Sequence, residues 1–335
     1  MVTVGVIGAG YWGKNLVRTF HTLPSARLKY IADRASGTLS SFSAYDDVEK
    51  TVDFQDVIRD DTVDAVVVST PPAAHYDIAK AALLAGKHVL VEKPITIRVD
   101  HAEELVELAE KNGRKLMAGH LLLYHPCVTT MKRLIDDGEI GDIYYLYCQR
   151  LNLGKVRSNE NSLQSFAPHD ISVAAYLIGG VPESVCAFGH GYLQKDIEDV
   201  AFLNLSFPGG RMAHIHVSWL DPHKVRRTTV VGSRKMMVFD DMEPHEKIRI
   251  YDKGVNINGE YGSYGDYLSL RDGNINIPLV KMSEPLRCEC EHFIECIVND
   301  LTPKTDGRNG LLVTRVLDAA QRSLKDGGIP TAVHA

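Results

Sequence analysis

The first thirteen residues already restrict what this chain can fold into. Val2-Thr3-Val4-Gly5-Val6-Ile7 is an apolar, β-branched run, and Gly8-Ala9-Gly10-Tyr11-Trp12-Gly13 follows it at once as a G-x-G-x-x-G. The run predicts a buried parallel strand, and the glycines predict the turn that leads it into a helix. Gly8 permits a tight turn, Gly10 lets the backbone approach a pyrophosphate, and Gly13 allows close helix–strand packing. The helix start, with Tyr11 and Trp12, then offers unpaired N–H groups to phosphates. Asp33 ends the second apolar run, 20 residues after Gly13, where an acid accepts both hydrogens of a ribose diol. Arg34 could meet a 2′-phosphate, but Asp33 repels one, so NAD is expected over NADP.

The next hundred residues keep the same rhythm. Apolar runs at 28–32, 65–69, 88–91 and 115–118 alternate with helical patterns at 14–23, 74–85 and 99–112. That alternation predicts a parallel sheet covered by helices on both faces. Beyond about residue 122 the pattern changes. A helix is expected over 128–137 and a strand over 143–150, then an aperiodic polar stretch over 152–164 and a helix over 169–177. Longer alternating strands are expected over 181–277, with turn signals at Pro208-Gly209-Gly210 and Asp272-Gly273. Two helices, 284–299 and 311–324, are expected to close the chain. The fold class expected is therefore α/β. A Rossmann dinucleotide-binding domain over 1–122 precedes an α+β domain over 123–335 with a large, mostly antiparallel open sheet.

Composition excludes several classes of function. The chain has 335 residues and a formal net charge of −6, from 37 basic and 43 acidic side chains. It has no global attraction for nucleic acid or an anionic membrane, so an anionic ligand needs a local cationic site. No apolar run reaches the roughly 18 residues of a membrane span, and no basic segment precedes the first strand. The six cysteines show no framework spacing, so reduced thiols and a cytoplasmic location are expected.

Two segments fall at the carboxyl ends of expected strands, where open α/β sheets bind ligands. They are Ser69-Thr70-Pro71-Pro72-Ala73-Ala74-His75 and Val89-Leu90-Val91-Glu92-Lys93-Pro94. Together with the glycine turn and Ala167-Pro168-His169-Asp170-Ile171, they make the chain resemble the glucose–fructose oxidoreductase/inositol dehydrogenase (Gfo/Idh/MocA) family over nearly its whole length. The resemblance implies that Lys93 and His169 are catalytic, with Lys93 also at the cofactor and His169 also touching substrate. It implies that Glu92 and Pro94 shape a turn against the nicotinamide, and that Ser69, Thr70, Pro71 and His75 lie by the cofactor. The chemistry agrees. Oxidising a secondary alcohol requires a base for the hydroxyl proton and a cation for the developing alkoxide. The chain departs from the family pattern at Ser165, where many members have an aspartate. It departs again over 119–126, where Tyr124 and His125 are the polar candidates for substrate contact.

Cations at Arg150, Lys155 and Arg157, and a second group at His223, Lys224, Arg226 and Arg227, resemble the subgroup that oxidises nucleotide-linked sugars, in particular UDP-N-acetylglucosamine 3-dehydrogenases. Lys155 and Arg157 are the diphosphate contacts expected. Surface charge is the alternative for both groups. A free-sugar or inositol dehydrogenase, an NAD-dependent glycosidase and a non-catalytic NAD-binding regulator are the competing functions. His214 and His216 share one strand face and are expected to pack rather than bind metal. Cys288, His292 and Cys296 lie on one side of a helix, opposite Leu286, Cys290, Phe293 and Ile297, and form a poor zinc site. An open sheet must hide one face, so a homodimer or homotetramer through the second domain is expected.

Overall fold

A computed structural model describes residues 1–154, 156–158, 160–257 and 268–333. They form two compact units, Met1–Tyr124 with Ser283–Arg315, and His125–Met282 with Val316–Ala335.

The first unit holds six parallel strands: β1 (Val2–Ile7), β2 (Ala26–Ala32), β3 (Glu49–Thr51), β4 (Ala65–Val68), β5 (His88–Glu92) and β6 (Leu116–Gly119). Their order is β3-β2-β1-β4-β5-β6, so the chain reverses direction across the sheet between β1 and β4. Ligands bind at such a switch point, beyond the carboxyl ends of the strands. The helices between them are α1 (Gly13–Thr22), α2 (Ser36–Ser40), α3 (Phe54–Arg59), α4 (His75–Leu84) and α5 (Val99–Lys111). All four residues of β4 are buried, as they must be in a strand covered on both faces. One core layer joins Val4, Val6, Leu16, Phe20 and Leu28 to Cys290, Phe293 and Ile294 of the helix Pro285–Val298. The layer on the opposite face joins Val66, Val68, Ile78 and Leu105 to Leu311.

Those contacts explain how the division differs from the expected boundary at 122. Residues 283–315 return to the first unit because the helix Pro285–Val298 turns its apolar stripe onto the uncovered side of β1 and α1. Cys296, expected on the opposite side of that helix from the core, is also fully buried.

The second unit contains α6 (Pro126–Asp136), α7 (Ser162–Ile178) and nine strands: β7 (Ile143–Leu151), β8 (Ser184–His190), β9 (Val200–Ser206), β10 (Met212–Ser218), β11 (Val225–Gly232), β12 (Met236–Asp240), β13 (Ile248–Ile257), β14 (Leu268–Asn276) and β15 (Thr331–Ala332). The strand order is β14-β13-β12-β11-β7-β10-β9-β8-β15. Among the described residues, β7 and β10 pair in parallel and the other pairings are antiparallel. Strand β9 alternates buried Ala201, Leu203 and Leu205 with outward residues, and α7 packs on the buried side of β7, β9 and β10.

Two expectations are corrected here. Helix α7 begins at Ser162 rather than 169, because Asn161 and Gln164 form a reciprocal capping box. Asp272-Gly273 is no turn and lies inside β14. Among the described residues, no helix is long and apolar enough to cross a membrane.

Candidate cofactor and catalytic residues

The glycine turn in the first unit is built as its spacing requires. Gly8 has φ +92°, and a Cβ there would lie 2.6 Å from the Thr70 amide nitrogen. A Cβ on Gly13 would lie 2.0 Å from the Gly8 carbonyl oxygen. Gly10 is different, since a Cβ there would meet nothing within 4 Å. Crowding at Gly8 and Gly13 fixes the turn, and the open space at Gly10 is the cradle a dinucleotide diphosphate requires. No side chain caps α1 and its first turn holds no acid, so its N-terminal N–H groups suit an anion. Asp33 braces the turn, with Oδ2 accepting from the Ala9 amide and Oδ1 from the Ala35 amide, each at 2.9 Å. A carboxylate has about four lone-pair sites, so both oxygens keep capacity for a ribose diol. Arg34 and Tyr11 are exposed beside the turn.

The neighbouring strand ends are cross-linked to it. Ser69 Oγ donates to the Gly8 carbonyl at 2.5 Å. Pro71 continues the loop into a short 3₁₀ turn at Pro72–Ala74. His75 is buried, with its two ring nitrogens 2.8 Å from the Thr70 and Pro94 carbonyl oxygens. It therefore ties the loop after β4 to the loop after β5. Burial and the Lys93 charge lower its affinity for a proton, against the pull of the two carbonyls. Thr70 Oγ1 is buried without a partner among the described residues. Trp12 donates its indole N–H to Glu92, whose other oxygen accepts from the Lys93 amide at 3.2 Å. Glu92 thus fixes the backbone from which Lys93 projects.

Two residues in this unit have no local sequence signal. His120 follows β6 and hydrogen-bonds Asn309. Glu289, on the helix Pro285–Val298, is buried with neither carboxyl oxygen partnered among the described residues. Burial, and then the charge of Glu92, hold its proton well above the ordinary carboxyl range. Tyr124, expected at the substrate, is corrected to a core residue. It is 5% exposed and its hydroxyl lies 3.1 Å from Thr305 Oγ1. Burial pushes its acidity down, which disqualifies it as a base near neutrality.

In the second unit His169 is half-buried on α7, directly after Pro168, which sits inside the helix. Ser165, one turn earlier, is buried. Asp170 is no surrogate for the missing aspartate. Arg150 grips it in a fork, Nε to Oδ2 at 2.7 Å and Nη2 to Oδ1 at 2.9 Å. His125 caps α6 by accepting from the Cys127 amide at 3.1 Å, so its role is structural. Arg157 pairs with Glu160 at 2.5 Å, while Lys155 lies outside the described residues. Arg227 is held by Asp240, at 2.7 Å from Nη2. Among the described residues, Arg226 meets neutral oxygens: the Leu151 and Val225 carbonyls, each at 2.8 Å, and Asn152 Oδ1 at 2.5 Å. Its guanidinium also lies over the Phe166 ring. On the exposed face of the sheet, His214 bonds Asn204 and His216 stacks on Phe202.

Comparison with known proteins agrees with this geometry. Residues 2–120 match the model of the oxidoreductase family with an NAD-binding Rossmann fold, and residues 128–238 match the GFO/IDH/MocA C-terminal domain. The scyllo-inositol 2-dehydrogenase (NAD⁺) of Bacillus subtilis is 26% identical, over 97% of this chain and 95% of its own. Among solved structures, UDP-N-acetylglucosamine 3-dehydrogenase from Acidithiobacillus ferrooxidans has a TM-score of 0.81 at 22% identity, with 97% of each chain covered. GenD2 from gentamicin A biosynthesis, solved in complex with NAD, has a TM-score of 0.83 at 21% identity, with 100% of this chain and 97% of that one covered. The chain is an NAD-binding oxidoreductase and belongs to the Gfo/Idh/MocA family.

Proposed function

We propose that the enzyme oxidises a ring hydroxyl, at C3, of a nucleotide-linked sugar such as UDP-N-acetylglucosamine to the ketone. The observation that supports a nucleotide is Arg226, a half-buried guanidinium to which no described carboxylate is bonded. A diphosphate supplies the anionic oxygens that such a planar fork is suited to hold. Arg157 and Lys155 are the further cations assigned to it. Bound NAD would supply the hydride acceptor. The turn of Gly8, Gly10 and Gly13 would hold its diphosphate and Asp33 its ribose, with Tyr11, Trp12, Arg34, Ser69, Thr70, Pro71, His75, Glu92 and Lys93 shaping the surroundings.

The proton chemistry falls to two side chains. His169 takes the hydroxyl proton, since an imidazole titrates near neutrality. To the Lys93 ammonium falls the stabilising of the negative charge that builds as the proton leaves. The exposed face of the nine-stranded sheet carries Tyr145 and Met212, which are register partners, and Phe202. It is assigned to a homodimer or homotetramer contact, to be measured by light scattering. The six cysteines are free thiols, in keeping with a cytoplasmic assignment.

A screen of nucleotide sugars, free sugars and inositols, followed by NADH absorbance, tests the substrate. Turnover that requires the nucleotide supports the proposal. Turnover of free inositols supports a second reading, which the scyllo-inositol 2-dehydrogenase relative favours. Release of free sugar without net NADH would identify a glycosidase.

A further inference from the structure

We propose that His120 is a positioning residue for the catalytic lysine: Asn309 holds its ring as the Nδ1–H tautomer, which leaves the buried Nε2 lone pair, unpartnered among the described residues, as the acceptor that the Lys93 ammonium takes up in the NAD-bound protein. The inference rests on the assignment of Lys93 made above. It begins with strand register. β5 and β6 are parallel neighbours in which Glu92 pairs with Gly119, so Lys93 and His120 are the next residues on adjacent strands. Both leave the sheet at its carboxyl edge.

The backbone of His120 is fixed there. Its amide donates to the Ala118 carbonyl at 2.7 Å, and its carbonyl accepts from Leu123 at 3.0 Å. The ring is 1% exposed. Its Nδ1 lies 2.6 Å from Asn309 Oδ1, an acceptor-only oxygen, so the proton belongs on Nδ1. Asn309 is itself anchored, because its amide donates to Asp306 Oδ1 at 2.9 Å. That leaves Nε2 as a buried acceptor with no partner among the described residues, which is a costly state for a polar atom.

The groups that act on the ring are Lys93 from the end of β5 and Asn309 from the helix Gly307–Lys325. Burial, and then the Lys93 charge, lower the ring's proton affinity to a pKa of about 4, so it is neutral and free to accept. A lysine ammonium has three N–H groups. One given to His120 leaves two for the substrate oxygen and other partners, and takes away much of the side chain's rotational freedom. Sequence reasoning missed His120 because its anchor lies 189 residues away.

The test is ¹⁵N NMR of the histidine-labelled, NAD-bound protein, in the wild type and in Lys93→Met. Expected are an Nδ1–H tautomer for His120, identified by its loss in His120→Gln, and an Nε2 resonance that moves when Lys93 becomes methionine. An Nε2–H tautomer overturns the proposal, and so does an Nε2 signal indifferent to Lys93→Met. Neither readout needs a substrate, so it stands or falls apart from the proposed function. With UDP-N-acetylglucosamine as probe, His120→Leu should lower kcat about 10- to 100-fold, the loss of one hydrogen bond to a charged group. His120→Gln, which restores an acceptor, should recover most of that loss, and NAD affinity should not change. Equal kcat in His120→Leu and wild type also overturns it.

Discussion

Asp33 follows β2 in the first unit and Asp170 lies on α7 in the second, and the two carboxylates are completed differently. Each oxygen of Asp33 accepts one backbone N–H, from Ala9 or Ala35. The acid keeps its negative charge and spare lone pairs. Asp170 is gripped on both oxygens by the Arg150 guanidinium, and its side chain is only 3% exposed. Backbone dipoles orient a charge without cancelling it, whereas a bidentate cation orients and cancels it together. Asp33 is therefore equipped to recognise a ligand and Asp170 to hold the scaffold. By the same criterion, Arg226, which bonds neutral oxygens among the described residues, is less compensated than Arg150 or Arg227.

The largest test concerns the residue next to Asp170. His169→Ala should lower kcat roughly 100- to 10,000-fold while the fold and NAD affinity survive, and Lys93→Ala should do the same. If His169→Ala turns over normally, the base is another group and α7 is scaffold throughout. Asp170→Asn should fail in the opposite way. It leaves Arg150 buried and uncompensated, at a cost of about 3–5 kcal/mol in unfolding free energy, read by denaturant titration. A stable Asp170→Asn protein would mean that the Arg150 fork carries little of the fold.

How much was legible follows the same division. Gly8, Gly10, Gly13 and Asp33 could be read because each acts through the backbone of its own turn or strand end, where spacing carries the information. The Arg150–Asp170 fork could not, because it joins a strand to a helix 20 residues away with no fixed spacing. Tyr124 was misread for the same reason. The group that fixes its hydroxyl, Thr305, comes from the segment that returns to the first unit. Helix α7 was started too late, because Pro168 normally marks a helix boundary. The true start lay in the Asn161–Gln164 box, inside a stretch that shows no periodicity.

Asp33→Asn should act mainly on recognition, with a modest cost in stability because the amide replaces only one of the two accepting oxygens. Wild type should favour NAD over NADP on the order of 100-fold, from repulsion of a 2′-phosphate at a partly desolvated acid. In Asp33→Asn that ratio should fall to near unity, with a small drop in Tm from the one backbone N–H bond that the amide cannot accept. Equal kcat/KM for the two cofactors in the wild type would shift the ribose contact to Arg34.

Glu289 extends the comparison to an acid with neither kind of completion. Its proton is held above the ordinary range by burial and by Glu92, so the native state binds a proton that the unfolded state has released. Its contribution is therefore most favourable below the unfolded glutamate value of about 4.3 and is lost as pH rises through the interval up to the folded-state value. The limiting slope is about 1.4 kcal/mol per pH unit. Glu289→Gln should remove this dependence, so its stability relative to wild type should grow between about pH 4 and 7. A difference in Tm that stays constant over that range would show that Glu289 ionises freely in the fold.

The smallest effect expected is at Arg157, the cation of the second unit that is most exposed to competition. Its guanidinium pairs with Glu160 and is 49% exposed. A diphosphate held by Arg157 must therefore displace a carboxylate already in place. An exposed pair of this kind contributes about 0–1 kcal/mol, so Glu160→Ala should lower KM for a nucleotide sugar by no more than about fivefold. Arg157→Ala should raise it, with kcat unchanged in both, because the nucleotide is remote from the reacting carbon and its binding energy is uniform. Both shifts should shrink as salt rises, since the site is solvated. The pair of variants is more informative than either alone. A surface salt bridge unrelated to binding leaves KM untouched in both, whereas a phosphate contact moves it in opposite directions. If neither moves it, the diphosphate assignment reduces to Arg226, and Arg226→Lys, which loses the planar fork but keeps the charge, becomes the deciding variant.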